Sequence, residues 1–149
     1  MLYDADKGDF TLGAVGDAIL SRPLSVFKEK RFLDMVELLR DTDCTFANLE
    51  ILFHEYEHPP AYLDGTHAQA DPEILEELKW AGIDIVSLAN NHAYNYGYEG
   101  ILTTIGHLKK YGIPNSGAGA NLQDARMPCF LDTHRGRVGL VSVNSTFEP

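Results

Sequence analysis

Apolar runs of strand length alternate along the chain with amphipathic stretches of helical period, and that alternation confines the fold to an α/β layer architecture. "FTLGAVG" (residues 10–16) reads as a buried first strand, "CTFANLE" (44–50) as a second and "IDIVSLA" (83–89) as a third. Between the first two, residues 30–40 repeat Phe32, Met35, Val36 and Leu39 at helical spacing. A second helix has Asp71 as N-cap, Pro72 at its first position, Leu75 and Leu78 turned inward and Gly82 past its end. A third, over 97–110, carries Ile101, Leu102, Ile105 and Leu108 on one face and stops at Gly112, which leaves His107 on the opposite, solvated face. Ser116, Gly117, Ala118 and Gly119 then read as a strand-to-helix turn before a short helix from Asn121, and residues 127–144 as a β-hairpin around 133–136. No repeat or linker divides the chain, so one domain is expected over its 149 residues.

The stretch "HEYEH" (54–58) matches the H-E-x-x-H text of zinc proteases, but that chemistry needs both histidines on one face of a continuing helix. Pro59 and Pro60 follow at once and forbid that helix. His54, His58 and His67 therefore read as solvated loop histidines in a long irregular piece, 52–70. Cys44 and Cys129 both lie in apolar runs and read as small buried hydrophobes.

More telling are the ends of the strand-like runs. The first ends at Gly16-Asp17, the second at Asn48-Leu49-Glu50 and the third at Ala89-Asn90-Asn91-His92. Ligands of open α/β sheets bind beyond the carboxyl ends of the strands, so these tips are placed to converge. Asp17 and Glu50 offer anionic oxygens, Asn91 an amide oxygen and His92 an imidazole, a set suited to Mn²⁺, Mg²⁺, Fe²⁺ or Zn²⁺. Taken singly, Asp17 and Glu50 also fit capping or loop-initiating roles, and Asn90 and Asn91 fit turns. The net charge of −10 disfavours nucleic acid and anionic membrane surfaces as partners. An anionic substrate then needs a local cation.

The segments "AVGDAIL", "FANLE", "SLANNHAYNYGYEGILTTIGHLKKYGIPNSGAGANLQDARMP" and "GRVGLVSVNSTF" together resemble the N-terminal half of the bacterial capsule-synthesis CapA family, from about residue 10 to 147. That family is associated with poly-γ-glutamate capsules and is built on a calcineurin-like metallophosphoesterase fold. The resemblance implies a layered α/β sandwich, cut short at its C-terminal end, with a bound divalent metal. Asp17, Glu50 and Asn91 would be ligands, His92 the catalytic side chain that supplies or accepts a proton, and Asn90 and Asn95 substrate-binding neighbours. Two positions depart from the pattern: Ile19 stands where phosphoesterases place a histidine, and Asn95 where the family usually has an acidic residue. The function implied is a metal-dependent, hydrolytic protein of capsule or cell-envelope polymer synthesis. Its alternatives are a phosphoesterase of a small ester or nucleotide and a non-catalytic assembly subunit. Partners would be an anionic polymer or a small phosphate compound, together with other capsule-synthesis proteins. The chain has no apolar segment of membrane-spanning length and its acidic start is unlike a secretory signal, so it reads as soluble and cytoplasmic. The resemblance also admits a membrane-anchored, extracytoplasmic location if an anchor was removed.

Overall fold

A computed structural model describes residues 8–61 and 65–145, so the acidic start at 1–7 and the last residues of the resembling segments, Thr146 and Phe147, lie outside the described residues. Strand β1 (Leu12–Ala18) leads through helix α1 (Lys30–Arg40) to β2 (Cys44–Leu49). The chain then forms β3 (Leu52–Phe53) and β4 (Gln69–Ala70), a 3₁₀ turn (Pro72–Ile74), α2 (Leu75–Ala81) and β5 (Ile85–Ser87). Helix α3 (Gly97–Tyr111), β6 (Asn115–Ser116), α4 (Leu122–Ala125) and the hairpin β7 (Cys129–Thr133) and β8 (Gly136–Leu140) complete it. The expected α/β class holds. Asp71 starts the 3₁₀ turn rather than an α-helix, and its side chain makes no capping bond.

The main sheet runs β1-β2-β5-β6, every neighbouring pair parallel. Strands that advance steadily in one direction through right-handed crossovers leave their helices on one face. α1 lies beside α2, and α2 beside α3. Ala47 and Leu49 of β2 and Val86 and Leu88 in and after β5 turn to that face and pack with Leu75, Leu78, Ile101 and Leu108. Full burial of such leucines contributes about 1.5–3 kcal/mol each. Met35, part of the expected α1 stripe, is 46% exposed, and Val36 is the residue that goes under. The turn from α2 into β5 requires a glycine: Gly82 has φ of 92°, and a Cβ there would stand 3.0 Å from the Arg40 backbone nitrogen.

Residues 52–70 differ most from expectation. They are not simply irregular, because β3 and β4 pair in parallel and the chain between them is fastened to α3. The Phe53 N–H donates to Thr104 Oγ1 at 2.8 Å, and His58 Nε2 and Thr103 Oγ1 lie 2.8 Å apart. The Ala61 N–H reaches the Asn95 carbonyl at 2.8 Å, and the Tyr96 hydroxyl donates to the His67 carbonyl at 3.3 Å. His54 is therefore not solvated: continuing from β3 into the core, its ring is fully buried, 4.6 Å from the Tyr96 ring centroid. His58, His67 and His107 are half-buried rather than free in solvent. Residues 54–58 form no helix, as the prolines dictate. Cys44 is buried as expected and Cys129 only half-buried; burial raises the pKa of both thiols. No helix among the described residues is long and apolar enough to cross a membrane.

Neither ring nitrogen of His54 has a hydrogen-bond partner among the described residues; the Glu57 carboxylate approaches Nδ1 only to 3.5 Å. Burial pushes its pKa below the usual histidine value, Glu57 pulls the other way, and His58 and His107 add to the lowering. Because the unfolded chain takes up this proton first, the neutral ring's stabilisation is complete above about pH 6.5 and is lost as pH falls from there toward the depressed value. His54→Leu removes both the unpartnered nitrogens and the titration. Urea unfolding should show the variant within about 1 kcal/mol of the parent, or above it, at neutral pH. It should also lose less stability than the parent between about pH 7 and pH 5, the range below the ordinary histidine pKa. Parallel pH profiles would contradict this account.

Candidate functional site

Side chains alternate faces along a strand, so residues paired in parallel register share a face. Leu12 and Ala14 of β1 pair with Cys44 and Phe46 of β2 on the face away from the helices. By strict alternation Asp17 would turn to the helix side. It does not, because the register shifts between Ala14 and Asp17: three steps on β1 match two on β2, from Phe46 to Asn48. An extra residue of this kind re-aims the side chain that follows it. Asp17 pairs with Asn48, Asn48 with Ser87 and Ser87 with Ser116, a polar row across the carboxyl ends of β1, β2, β5 and β6.

The row continues into one hydrogen-bond network. Asn48 Nδ2 donates to Asp17 Oδ1 at 2.9 Å and to Glu50 Oε1 at 3.0 Å, so one amide joins the two carboxylates. Asn48 Oδ1 accepts from Asn90 Nδ2 at 3.2 Å, and the same Asn90 nitrogen donates to the Leu49 carbonyl at 2.8 Å. Asn90 Oδ1 accepts from the His92 N–H at 3.1 Å. His92 Nδ1 lies 2.9 Å from Asn95 Nδ2, which also donates to the Thr66 carbonyl at 3.0 Å. Between Asn90 and α3 the chain descends through tight turns, Ala93 N–H to Asn90 O at 3.3 Å, Asn95 N–H to His92 O at 3.1 Å and Gly97 N–H to Tyr94 O at 2.9 Å.

Asp17, Glu50, Asn90, His92 and Asn95 thus come together from three separate parts of the sequence. Asn91 stands outside the network with its side chain exposed, while Asn90 and Asn95 are each only 9% exposed. Asn48 is named at the end of the second strand, but its bridging of the two carboxylates is not among the expectations. An asparagine two residues before Glu50 in an otherwise apolar strand is a strand-disfavoured residue on the same face, and that was its signal. Ile19, at the position of the missing phosphoesterase histidine, is 56% exposed.

Electrostatically the site is unbalanced. Asp17 and Glu50 share a neutral amide, and no Lys, Arg or His pairs with either among the described residues. Two carboxylates held this way, with the Asn48 amide between them, are donors suited to a hard divalent cation. Among the described residues no three His, Cys, Asp or Glu side chains converge on one metal position, so amide oxygens and water would have to complete its shell. Two hollows of the surface lie elsewhere, one lined by Glu76, Lys79, Lys110 and Tyr111 and one along α1.

Asn90 and Asn91 are neighbours in sequence with opposite duties. Asn90→Ala removes partners from the Leu49 carbonyl, Asn48 Oδ1 and the His92 N–H, and should cost about 2–3 kcal/mol in urea unfolding. Asn91→Ala should change stability by no more than about 0.5 kcal/mol. Equal losses would show that the network does not hold the turn.

Known proteins share this arrangement of sequence. Residues 8–148 match the model of the family described as bacterial capsule synthesis protein PGA_cap. The uncharacterized protein y4sH of Sinorhizobium fredii is 39% identical over 144 residues, 94% of this chain and 31% of that protein. The capsule biosynthesis protein CapA of Bacillus anthracis is 26% identical over 146 residues, 92% of this chain and 35% of its own length. The PGA biosynthesis protein CapA of Bacillus subtilis is 27% identical over 119 residues, 75% of this chain and 31% of its own. The chain thus spans about a third of the length of the curated relatives it matches. With the family model covering nearly all of it, the chain belongs to the bacterial capsule synthesis protein family PGA_cap.

Proposed function

We propose that the strand-tip network binds a divalent cation and acts, in capsule or poly-γ-glutamate synthesis, on an anionic polymer or a phosphate-bearing precursor. The observation that carries the reading is the Asp17–Asn48–Glu50 arrangement, two carboxylates joined through one neutral amide with no cationic side chain paired to them among the described residues. A chain of net charge −10 also repels a polyanion unless a local cation offsets the field. Names of relatives such as the Bacillus CapA proteins support the process, capsule and PGA biosynthesis, rather than the reaction.

In this reading Asp17 and Glu50 hold the ion, with the exposed Asn91 amide available to it. When bound, a divalent ion polarises a phosphoryl or carbonyl oxygen and lowers the pKa of a coordinated water. Asn48 sets the carboxylates' separation. Asn90 fixes the turn that carries His92 by accepting its backbone N–H. His92 serves the substrate by exchanging a hydrogen bond or a proton with it. Asn95, buried with its amide engaged, acts behind His92 rather than by touching substrate.

A second reading, a binding or assembly subunit without turnover, is favoured by Ile19 in place of a histidine and by the absence of three converging ligands among the described residues. The two readings share the ion and differ in hydrolysis. Calorimetric titration with Mn²⁺ should show binding that Asp17→Ala and Glu50→Ala each weaken about tenfold or more, as loss of one charged ligand implies, whereas Ile19→Ala leaves it unchanged. Mn²⁺ bound equally by parent and both carboxylate variants would contradict the site. Release of phosphate from ester substrates, or cleavage of poly-γ-glutamate, that disappears in His92→Ala separates enzyme from assembly subunit.

A further inference from the structure

We propose that Asn95 is a positioning residue that locks the neutral His92 ring in its Nε2–H tautomer, so that His92 meets a ligand as a hydrogen-bond donor. The Thr66 carbonyl can only accept, so the Asn95 side-chain atom 3.0 Å from it is the NH₂ group. That same nitrogen is 2.9 Å from His92 Nδ1. One of its hydrogens goes to Thr66; the other meets a ring nitrogen that must present a lone pair. A neutral imidazole that accepts at Nδ1 carries its hydrogen on Nε2. Turning the amide over would set Oδ1 against the Thr66 carbonyl, oxygen facing oxygen, so the hydrogen-bond partners leave one orientation.

The lock is well supported. Asn95 is 9% exposed, its N–H donates to the His92 carbonyl at 3.1 Å, and its own carbonyl accepts from the Ala61 N–H at 2.8 Å. Both Thr66 and Ala61 belong to the segment between β3 and β4, so that segment, fastened along α3, sets the ring of a residue at the strand tips. A carboxylate at position 95 would do the reverse: it would accept from Nδ1–H and leave Nε2 as a lone pair able to take a proton from water. An amide there gives the half-exposed ring a donor for a phosphoryl or carbonyl oxygen, with no proton transferred. The ligand-facing role rests on the reading proposed above for the strand tips; the tautomer does not.

Nitrogen-15 NMR of the uniformly labelled chain tests this directly, at about pH 8, where histidine rings are ordinarily neutral. His92→Gln assigns the ring signals. The parent should show an unprotonated Nδ1, a protonated Nε2 and a coupling across the hydrogen bond between Asn95 Nδ2 and His92 Nδ1. Asn95→Asp should exchange the two ring-nitrogen shifts, and Asn95→Ala should average them as in free imidazole. A protonated Nδ1 in the parent, averaged shifts without the coupling, or an Asn95→Asp ring that keeps Nε2–H would each overturn the proposal. The parent spectrum decides even if a variant fails to fold. Failure of the Mn²⁺ titration would remove the proposed site and leave these signals as stated, so the two ideas fail separately.

Discussion

The extra residue that β1 inserts between Ala14 and Asp17 turns the Asp17 carboxylate onto the face of the sheet that carries Asn48, and the polar assembly at the strand tips depends on that turn. Without it, alternation would aim the carboxylate at the helix layer, beside Ala47 and Leu49, where an unpaired charge is expensive. With it, parallel register places Asp17, Asn48, Ser87 and Ser116 in one row, and the chain after β2 and β5 adds Glu50 and Asn90 to it. The two faces of the sheet are thereby divided between tasks. One buries Ala47, Leu49, Val86 and Leu88 against the helices; the other holds Cys44, Phe46 and Ile85 toward the strand starts and the polar row at the carboxyl tips.

The segment between β3 and β4 joins these tasks. Its apolar start, Leu52-Phe53, is part of the core, and the segment is held by Thr104 and Thr103 of α3 and by the Asn95 carbonyl in the turn before α3. From there Thr66 reaches the Asn95 amide, and Asn95 reaches His92. Stability of the segment and orientation of the candidate site are therefore carried by the same hydrogen bonds. The buried His54, with neither ring nitrogen satisfied among the described residues, is the acid-sensitive point in this region.

Periodicity and capping made most of the elements legible. α1 spans Lys30–Arg40 as its spacing implies, α3 stops where Gly112 enters the left-handed region at φ of 69°, and the hairpin turns at the expected residues. Ser116 to Asn121 forms the expected passage from strand to helix, turning at Gly117 with φ of 102°. Short pairings were not legible: β3, β4 and β6 have two residues each, too few for any period to show. His54 was misjudged because proline, aspartate and glycine downstream signal a loop, whereas its burial comes from β3 upstream and from Tyr96, which lies 42 positions along the chain. At the site, the strand ends and the family resemblance pointed to Asp17, Glu50 and His92. The bulge and the bridging role of Asn48 are properties of strand register, which a single sequence does not display.

In the function proposed above, a cation sits between the carboxylates joined by Asn48. Crystals of the protein grown with Mn²⁺ and measured for anomalous scattering would locate it without reference to any activity. A peak in contact with the Asp17 and Glu50 carboxylates is the result this account predicts. A peak instead at His54, Glu57 and His58, or no ordered Mn²⁺ at the strand tips, would contradict it.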